Sequence, residues 1–525
     1  MPLLQGTHRH QTGISSLDCC IASDHPVRLI DALVEKLDLE KLNIPLPQSE
    51  EGRPAFHPKV LLKLYWYGYT NHIRSSRRLE TECRRNIEVQ WLLEELVPCY
   101  KTIADFRKDH PLQLKNVFRV FTTFLREQHL IEGKIIAADG SKFRAVNSKK
   151  NNYNADKIER HQNYINKKTE EYLQQLEAHD KQEERSDELE IKRTAIAEQL
   201  KKLKERKLKY DELERQLKES DGSQVSTTDP ESRSMLVNHN ILEVSYNVQT
   251  VSDEKHSLVA HFEVTSENDT KALFKTASDT KAELEKETIT VLADKGYSTG
   301  EQMSKCEQEG IITLVAPKDV TWVKHLEEKY LVDNFIYNKE ADTYSCPEGH
   351  TLTTNGNWYN RSHDDRSRKN STTYKVKHYK TRVCITCPVM KQCTLNKRGR
   401  MISRSEHQET VDRNNARVRA NYALYKRRQE LIEHIFGTIK RSLGYTYTLL
   451  KGKKKITGEF SLIFLAYNFM RTKNILGFDK MLQAINNWTP KYPTGFGFLL
   501  FRFVYITYKP FKIFSFNRQP VFKAA

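Results

Sequence analysis

Residues 133–146, GKIIAADGSKFRAV, decide how this chain folds. Gly133 stops a preceding amphipathic helix, expected over 112–131. The apolar run 135–138 then predicts a short buried strand that ends on Asp139 and Gly140. A carboxylate placed where a buried strand emerges sits on a rigid element, which is how a metal ligand or a base is presented. The Asp-Gly pair fits a plain turn as well. A second segment repeats the pattern: TITVLA, 288–293, reads as a buried strand ending at Asp294, and Lys295-Gly296-Tyr297 turns into a helix at Ser298.

Between these two segments, strand alternation runs through 244–251 and 256–264, joined by a turn at 252–255, and a helix is expected over 270–286. One more strand follows at 311–315, closed by Pro317. The order predicts an α/β sheet with mixed pairing, in which both strand-end aspartates lie at one edge. Asp253 and Asp269 fall in turns and read as turn residues.

The third acid comes from 422–443, YALYKRRQELIEHIFGTIKRSL, whose apolar residues recur at helical spacing. At 100° per residue, Lys426, Gln429, Glu433 and Lys440 line one margin of the apolar stripe, and Arg428 falls inside it. FSLIFLAYNFM, 460–470, predicts a strongly apolar helix that buries against the sheet.

The outer regions carry other signals. Over 56–110, short helices, tight turns and Arg77, Arg78, Arg84 and Arg85 fit a helix-turn-helix reader or a plain basic bundle equally well. Residues 151–220 hold 16 Lys/Arg and 17 Asp/Glu without Gly or Pro, which reads as a helical hairpin or coiled coil serving as spacer or dimer contact. The segment 221–232 closes it as a loop. Within 318–410, Cys346, Cys384-x2-Cys387 and Cys393 have the spacing of a structural zinc site, with His350 in reserve. The other five of nine cysteines read as packing residues. Trp322 in the same insert is a candidate for stacking on an unpaired base. The tail 478–525 is aromatic and irregular.

A net charge of +17 spread over several basic clusters points to a polyanion, with nucleic acid first. The beginning, MPLLQGTHRHQTG, has no basic start followed by an apolar core, and the apolar run 492–508 is interrupted by Arg502, so neither secretion nor a membrane span is expected. A cytoplasmic protein with reduced thiols follows.

Asp139, Asp294 and Glu433 together would suit two divalent ions about 3.5–4 Å apart, the arrangement used for in-line phosphoryl transfer. Oxygen-only ligands favour Mg²⁺ or Mn²⁺. Lys440, with Lys426 and Arg441, would hold the flanking phosphate.

The stretches HPKVLLKLYWYGYTNHIRSSRRLE, AADGSKF, YNVQTV, VLADKGY, CP…CxxCP…C and IEHIFGTIKR, in that order over about residues 50–477, resemble the DDE transposases of bacterial insertion sequences. The branch is the one with a Tyr-x2-Arg-x3-Glu-x6-Lys signature helix. The resemblance implies an RNase H-like core formed by 131–150, 230–317 and 411–477. An all-α DNA-binding region would occupy 1–130, a helical-hairpin insertion 151–229 and a zinc-ribbon-like insertion 318–410. It implies Mg²⁺-dependent cleavage of double-stranded DNA at terminal inverted repeats, strand transfer to target DNA, and a homodimer in a synaptic complex at the bacterial nucleoid. The signature departs at one place: Glu433 and Lys440 keep their gap, but Gln429 stands where the arginine is expected, and Tyr425 and Arg428 sit one residue early. Lys426 would then substitute as a point charge. The alternative function is a catalytically impaired copy acting as a DNA-end-binding protein or repressor.

Overall fold

The computed structural model describes residues 15–46, 54–180, 187–219, 224–238, 241–317, 327–362 and 373–492. Trp322, 221–223 and the tail beyond 492 lie outside them.

The chain begins with helices α1 (Pro26–Glu35), α2 (Pro58–Thr70), α3 (Ser76–Arg85), α4 (Ile87–Leu92), α5 (Tyr100–Asp109) and α6 (Pro111–Glu127). Helices α1, α2 and α6 start on proline, whose fixed φ and missing N–H suit the first turn. His25 and His57 cap the first two, each ring accepting a backbone N–H. Helix α2 is buried along almost its whole length, so it belongs to the core and is not free to enter a groove.

Strand β1 (Ile135–Arg144) runs on through Asp139 and Gly140, so the Asp-Gly pair makes no turn. Pairing decides this: Asp139 lies opposite Thr250 and Gly140 opposite Gln249 on a long antiparallel neighbour. Next come β2 (Asn152–Tyr153), α7 (Ala155–Asp180), α8 (Asp187–Glu219) and β3 (Val225–Ser226). Helices α7 and α8 pack side by side over their own small core, Ile158, Ile165, Leu203, Tyr210 and Leu213, and β2 pairs with β3 at the root. Strands β4 (Arg233–Asn238), β5 (Ile241–Asp253) and β6 (Val259–Thr265) follow, then α9 (Leu273–Glu283), β7 (Ile289–Ala293), α10 (Gly300–Gln308) and β8 (Ile311–Val315).

The central sheet runs β6-β5-β1-β7-β8, and β4 adds to the first part of β5. Strands β6, β5 and β1 pair antiparallel, whereas β1, β7 and β8 are parallel. The fold is therefore mixed α/β, with the change from antiparallel to parallel at β1.

A separate sheet, β12-β13-β11-β10-β9 with β14 on β13, is built from β9 (Ile336–Asn338), β10 (Thr343–Ser345), β11 (Thr351–Thr354), β12 (Tyr359–Ser362), β13 (Thr373–Lys380) and β14 (Met401–Ser405). It carries the short helix α11 (Met390–Cys393) and packs on Phe335, Tyr344, Leu352, Tyr379 and Ile402.

Helices α12 (Gln408–Ala420) and α13 (Tyr422–Gly437) return to the central sheet. Two expectations are corrected here. The stretch 422–443 is not one regular helix: α13 stops at Gly437 and a π-helical turn, Thr438–Ser442, follows. The chain past Gly477 is not wholly irregular: after α14 (Lys453–Leu476) comes α15 (Phe478–Asn487), which packs beside α1. Helix α14 is apolar all round because it is covered all round, by the sheet on one side and by α2 and α6 on the other. One hydrophobic cluster thus runs from α1 through the sheet to α15. Cys83 and Cys306 are buried in it, but Cys19, Cys20 and Cys99 are exposed and do not pack.

Candidate active site

Register places Asp139, within β1, beside Asp294, which directly follows β7. Strands β1 and β7 run parallel with Ala137 opposite Leu292 and Ala138 opposite Ala293, so Asp139 and Asp294 are the next neighbours. Side chains alternate along a strand, so each aspartate shares a face with the residue two before it. Ala137 and Leu292 are buried under Leu431 and Ile432 of α13. Both carboxylates therefore project on the α13 side, just past the edge of that apolar patch.

Arg428 lies one turn before Ile432 and one turn after Leu424, on the same helix face. Its guanidinium reaches past the patch to within 3.7 Å of Asp294, with 17% of the side chain exposed. Arg428 does fall on the inward, apolar face, as its spacing predicts, and from there its side chain is long enough to put its charge on the acids. Burial pushes the Asp139 carboxyl up to about 6; Arg428 opposes the shift, and Asp269 and Asp294 add to it. Gly140 N–H donates to Asp139 at 2.8 Å.

Glu433 is exposed and accepts a 2.8 Å hydrogen bond from Gln429 Nε2, while Lys426 is exposed and lies over the Tyr422 ring. Lys440 does not stay on this margin. The π-helical turn takes more residues per turn than the α-helix, so it rotates Lys440 inward. Its Nζ donates to the Lys142 carbonyl at 2.9 Å and lies 4.6 Å from the Phe143 ring centroid. Burial, aided by Lys142, lowers it to about 8, and Asp139 opposes that. Arg441 remains exposed. Asp139, Asp294, Arg428 and Lys440 are thus brought together, with Glu433 on the outer side of the same helix.

Asp269 is more than a turn residue. Its Oδ1 accepts from Asn247 Nδ2 at 2.8 Å and Gln249 Nε2 at 2.7 Å, and its Oδ2 accepts from Lys142 Nζ at 2.9 Å. The sequence signal for it was weak, since a turn aspartate is common. Asp253, by contrast, does cap its turn, accepting from Gly133 and Lys255 N–H groups.

The four arginines of α3 are all exposed. Arg84 and Arg85 pair with Glu80 and Glu82 of their own helix, and Arg77 lies 5.2 Å from the Tyr100 ring. Acids on the same helix therefore offset part of that basic face.

Cys346, Cys384, Cys387 and Cys393 line one cavity of about 20 Å³ together with His350, Phe335 and Arg400. Burial raises the Cys393 thiol, and the other three sulfurs add to the effect. Gly399 lets the chain pass: at φ +89°, a Cβ there would come within 2.5 Å of Cys384 Cβ. Among the described residues, no three or more His, Cys, Asp or Glu side chains have the arrangement of a formed metal site.

Two family descriptions match the chain: a transposase domain (DUF772) over residues 15–109 and a transposase DDE domain over residues 345–472. Both matches are to transposase domains, and together they support a DDE transposase of an insertion sequence. The two domains support a transposase function in general and imply DNA as the substrate. The second match contains Arg428, Glu433, Lys440 and the four cysteines, whereas Asp139 and Asp294 precede it. No curated protein and no solved structure matches. Among the described residues, no helix is long and apolar enough to cross a membrane.

Proposed function

We propose that this transposase cleaves DNA at the terminal inverted repeats of its element and joins the freed 3′-ends to target DNA, using Asp139, Asp294 and Glu433 as ligands for Mg²⁺ or Mn²⁺. The observation that carries the reading is the placement of Asp139 and Asp294 side by side, each immediately after the last parallel pair of β1 and β7, under the helix that bears Glu433. The sheet order, three antiparallel strands then two parallel ones, supports an RNase H-like core. The donor set fits a hard divalent cation: carboxylate oxygens, with Arg428 already drawn to the surplus negative charge. Bound, such ions would activate the attacking oxygen and stabilise the leaving one.

The chain's own residues do the rest. Arg428 lies against Asp294, and Gln429 hydrogen-bonds Glu433 on the exposed side of α13, from which Glu433 would turn toward the aspartates to complete the ligand set. Lys440, fixed by the Lys142 carbonyl and partly desolvated, offers a positive charge beside Asp139 for a flanking phosphate. Arg441 and Lys426 flank it on the exposed side, and the arginines of α3 hold more distant phosphates.

The cysteine-lined cavity takes one structural Zn²⁺ on Cys346, Cys384, Cys387 and Cys393, fastening the small sheet of the insert. A homodimer on two DNA ends, with α7 and α8 as a contact, completes the reading.

The test is a cleavage assay on linear DNA bearing the element's terminal repeats, with and without Mg²⁺. Metal-dependent nicking at the repeat ends is expected. Specific binding without strand cleavage would instead make this a DNA-end-binding repressor.

A further inference from the structure

Behind the two aspartates, on the opposite face of the sheet, lies a partly buried polar strap that the proposed chemistry does not use. Gly140 and Lys142 of β1 lie opposite Gln249 and Asn247 of β5, so these four positions share a face, one residue out of phase with Asp139. The Asp269 carboxylate sits against this patch and is saturated by Lys142, Asn247 and Gln249. Gln249 in turn accepts from the Tyr297 hydroxyl, and Tyr297 is buried in the turn that immediately follows Asp294. Lys142 completes the connection, because its carbonyl receives Lys440.

We infer that Asp269 is a positioning residue for the catalytic centre: it ties the end of β1, the turn after β7 and, through Lys142, Lys440 into one unit, and so sets the distance between Asp139 and Asp294. This rests on the reading of those two aspartates as ligands. Two further features point to a position built for this purpose. Gly140 has no side chain where one would overlap Asp269 Oδ1 and come within 2.5 Å of Gln249 and 2.7 Å of Asn247. Asn247 and Gln249 are themselves buried, so without Asp269 the Gln249 amide would lose its acceptor, while Asn247 would keep only the Glu267 carbonyl. Asp269 is not itself a ligand, because both its oxygens are taken by donors that lie within the fold.

The test uses the full chain, with Mn²⁺ titrated and followed by electron paramagnetic resonance, beside cleavage of repeat-end DNA. Wild-type protein that binds Mn²⁺, and loses it in Asp139→Ala, establishes the ligand reading first; failure at this stage sinks that reading and leaves the strap unused. Asp269→Asn keeps one acceptor oxygen but drops the charge that holds Lys142. It should weaken Mn²⁺ binding about 3- to 10-fold and raise the metal needed for half-maximal cleavage by the same factor, with DNA binding within about twofold. Tyr297→Phe removes one hydroxyl without changing packing and should move the same two readouts in the same direction by a smaller factor. Asp269→Asn and Tyr297→Phe proteins with wild-type Mn²⁺ affinity and wild-type metal dependence would overturn the inference, as would losses that track only with weakened DNA binding.

Discussion

Glu459 offers a test of how the two ends of the chain are joined. It lies on α14 with no exposed surface, and its carboxylate accepts from Leu449 N–H at 3.0 and 3.1 Å, from Leu450 N–H at 3.3 Å and from Arg74 Nη1 at 3.2 Å. Arg74 is itself 7% exposed, donates to the Tyr447 carbonyl and lies between the Tyr445 and Tyr447 rings. Glu459→Ala would leave a buried guanidinium without its counter-charge, costing about 3–5 kcal/mol, and two amides without acceptors at about 1–3 kcal/mol each if water stays out. Partial relaxation makes about 4–6 kcal/mol the expected loss. Glu459→Gln keeps one acceptor and should lose about half as much. Urea unfolding followed by tryptophan fluorescence measures both, since several tryptophans, Trp66 among them, lie in or against the shared core. The double variant Arg74→Met/Glu459→Gln should regain part of the single-variant loss, because the orphaned charge goes too. A Glu459→Ala loss below about 1 kcal/mol would refute the view that this pair locks the turn between α2 and α3 onto α14.

Other outcomes follow from particular contacts. If Arg428 and not Gln429 is the arginine of the signature helix, Arg428→Gln should slow cleavage at least about 10-fold while Gln429→Ala changes it less than about 3-fold, in single-turnover assays on repeat-end DNA. The reverse order would restore the alignment read from spacing alone. Burial would raise Glu283, but buried His261 at 2.9 Å, together with Arg119, holds it down to about 2. A depressed carboxyl stabilises the fold above its ordinary value of 4.5 and loses that contribution as pH falls toward 2. The stability gap between wild type and Glu283→Gln should therefore be full above about pH 4.5 and shrink below it; a gap independent of pH would contradict this network. Purified protein should carry one zinc per chain by mass spectrometry of metals. Cys384→Ser and Gly399→Val should both lower it, the second because φ +89° and the Cys384 Cβ leave a branched side chain no room. Full zinc in Cys384→Ser would remove that residue from the ligand set.

Much of the site was readable because strand ends and apolar runs are local signals. Asp139 and Asp294 each close a short run of buried residues, and parallel register then sets them side by side. The position of Glu433 beside Gln429 on α13 was readable from the amphipathic pattern, but that of Lys440 was not. A helical wheel assumes one pitch, and the π-helical turn breaks it between Gly437 and Leu443, which is why Lys440 left the margin assigned to it. The direction of Arg428 was legible but its contact with Asp294 was not, because a wheel gives the direction of Cα–Cβ and says nothing of how far a long side chain reaches. Asp269 read only as a turn residue because its partners, Lys142, Asn247 and Gln249, come from β1 and β5, distant in sequence. The continuity of the first helices with the sheet was hidden too, since it depends on α14 burying every face, and a helix without an amphipathic pattern does not announce what covers it.

The most direct test of the three-acid site replaces Mg²⁺ with Fe²⁺ and lets ascorbate and peroxide generate hydroxyl radicals at the bound ion, cutting the backbone within a few ångströms of it. Protein on repeat-end DNA should be cut near residues 139, 294 and 433 together, and all three cuts should vanish with excess Mg²⁺ or in Asp139→Ala. Cuts at 139 and 294 with none near 433 would contradict the assignment of Glu433, and no Mg²⁺-sensitive cut at any of the three would contradict the site.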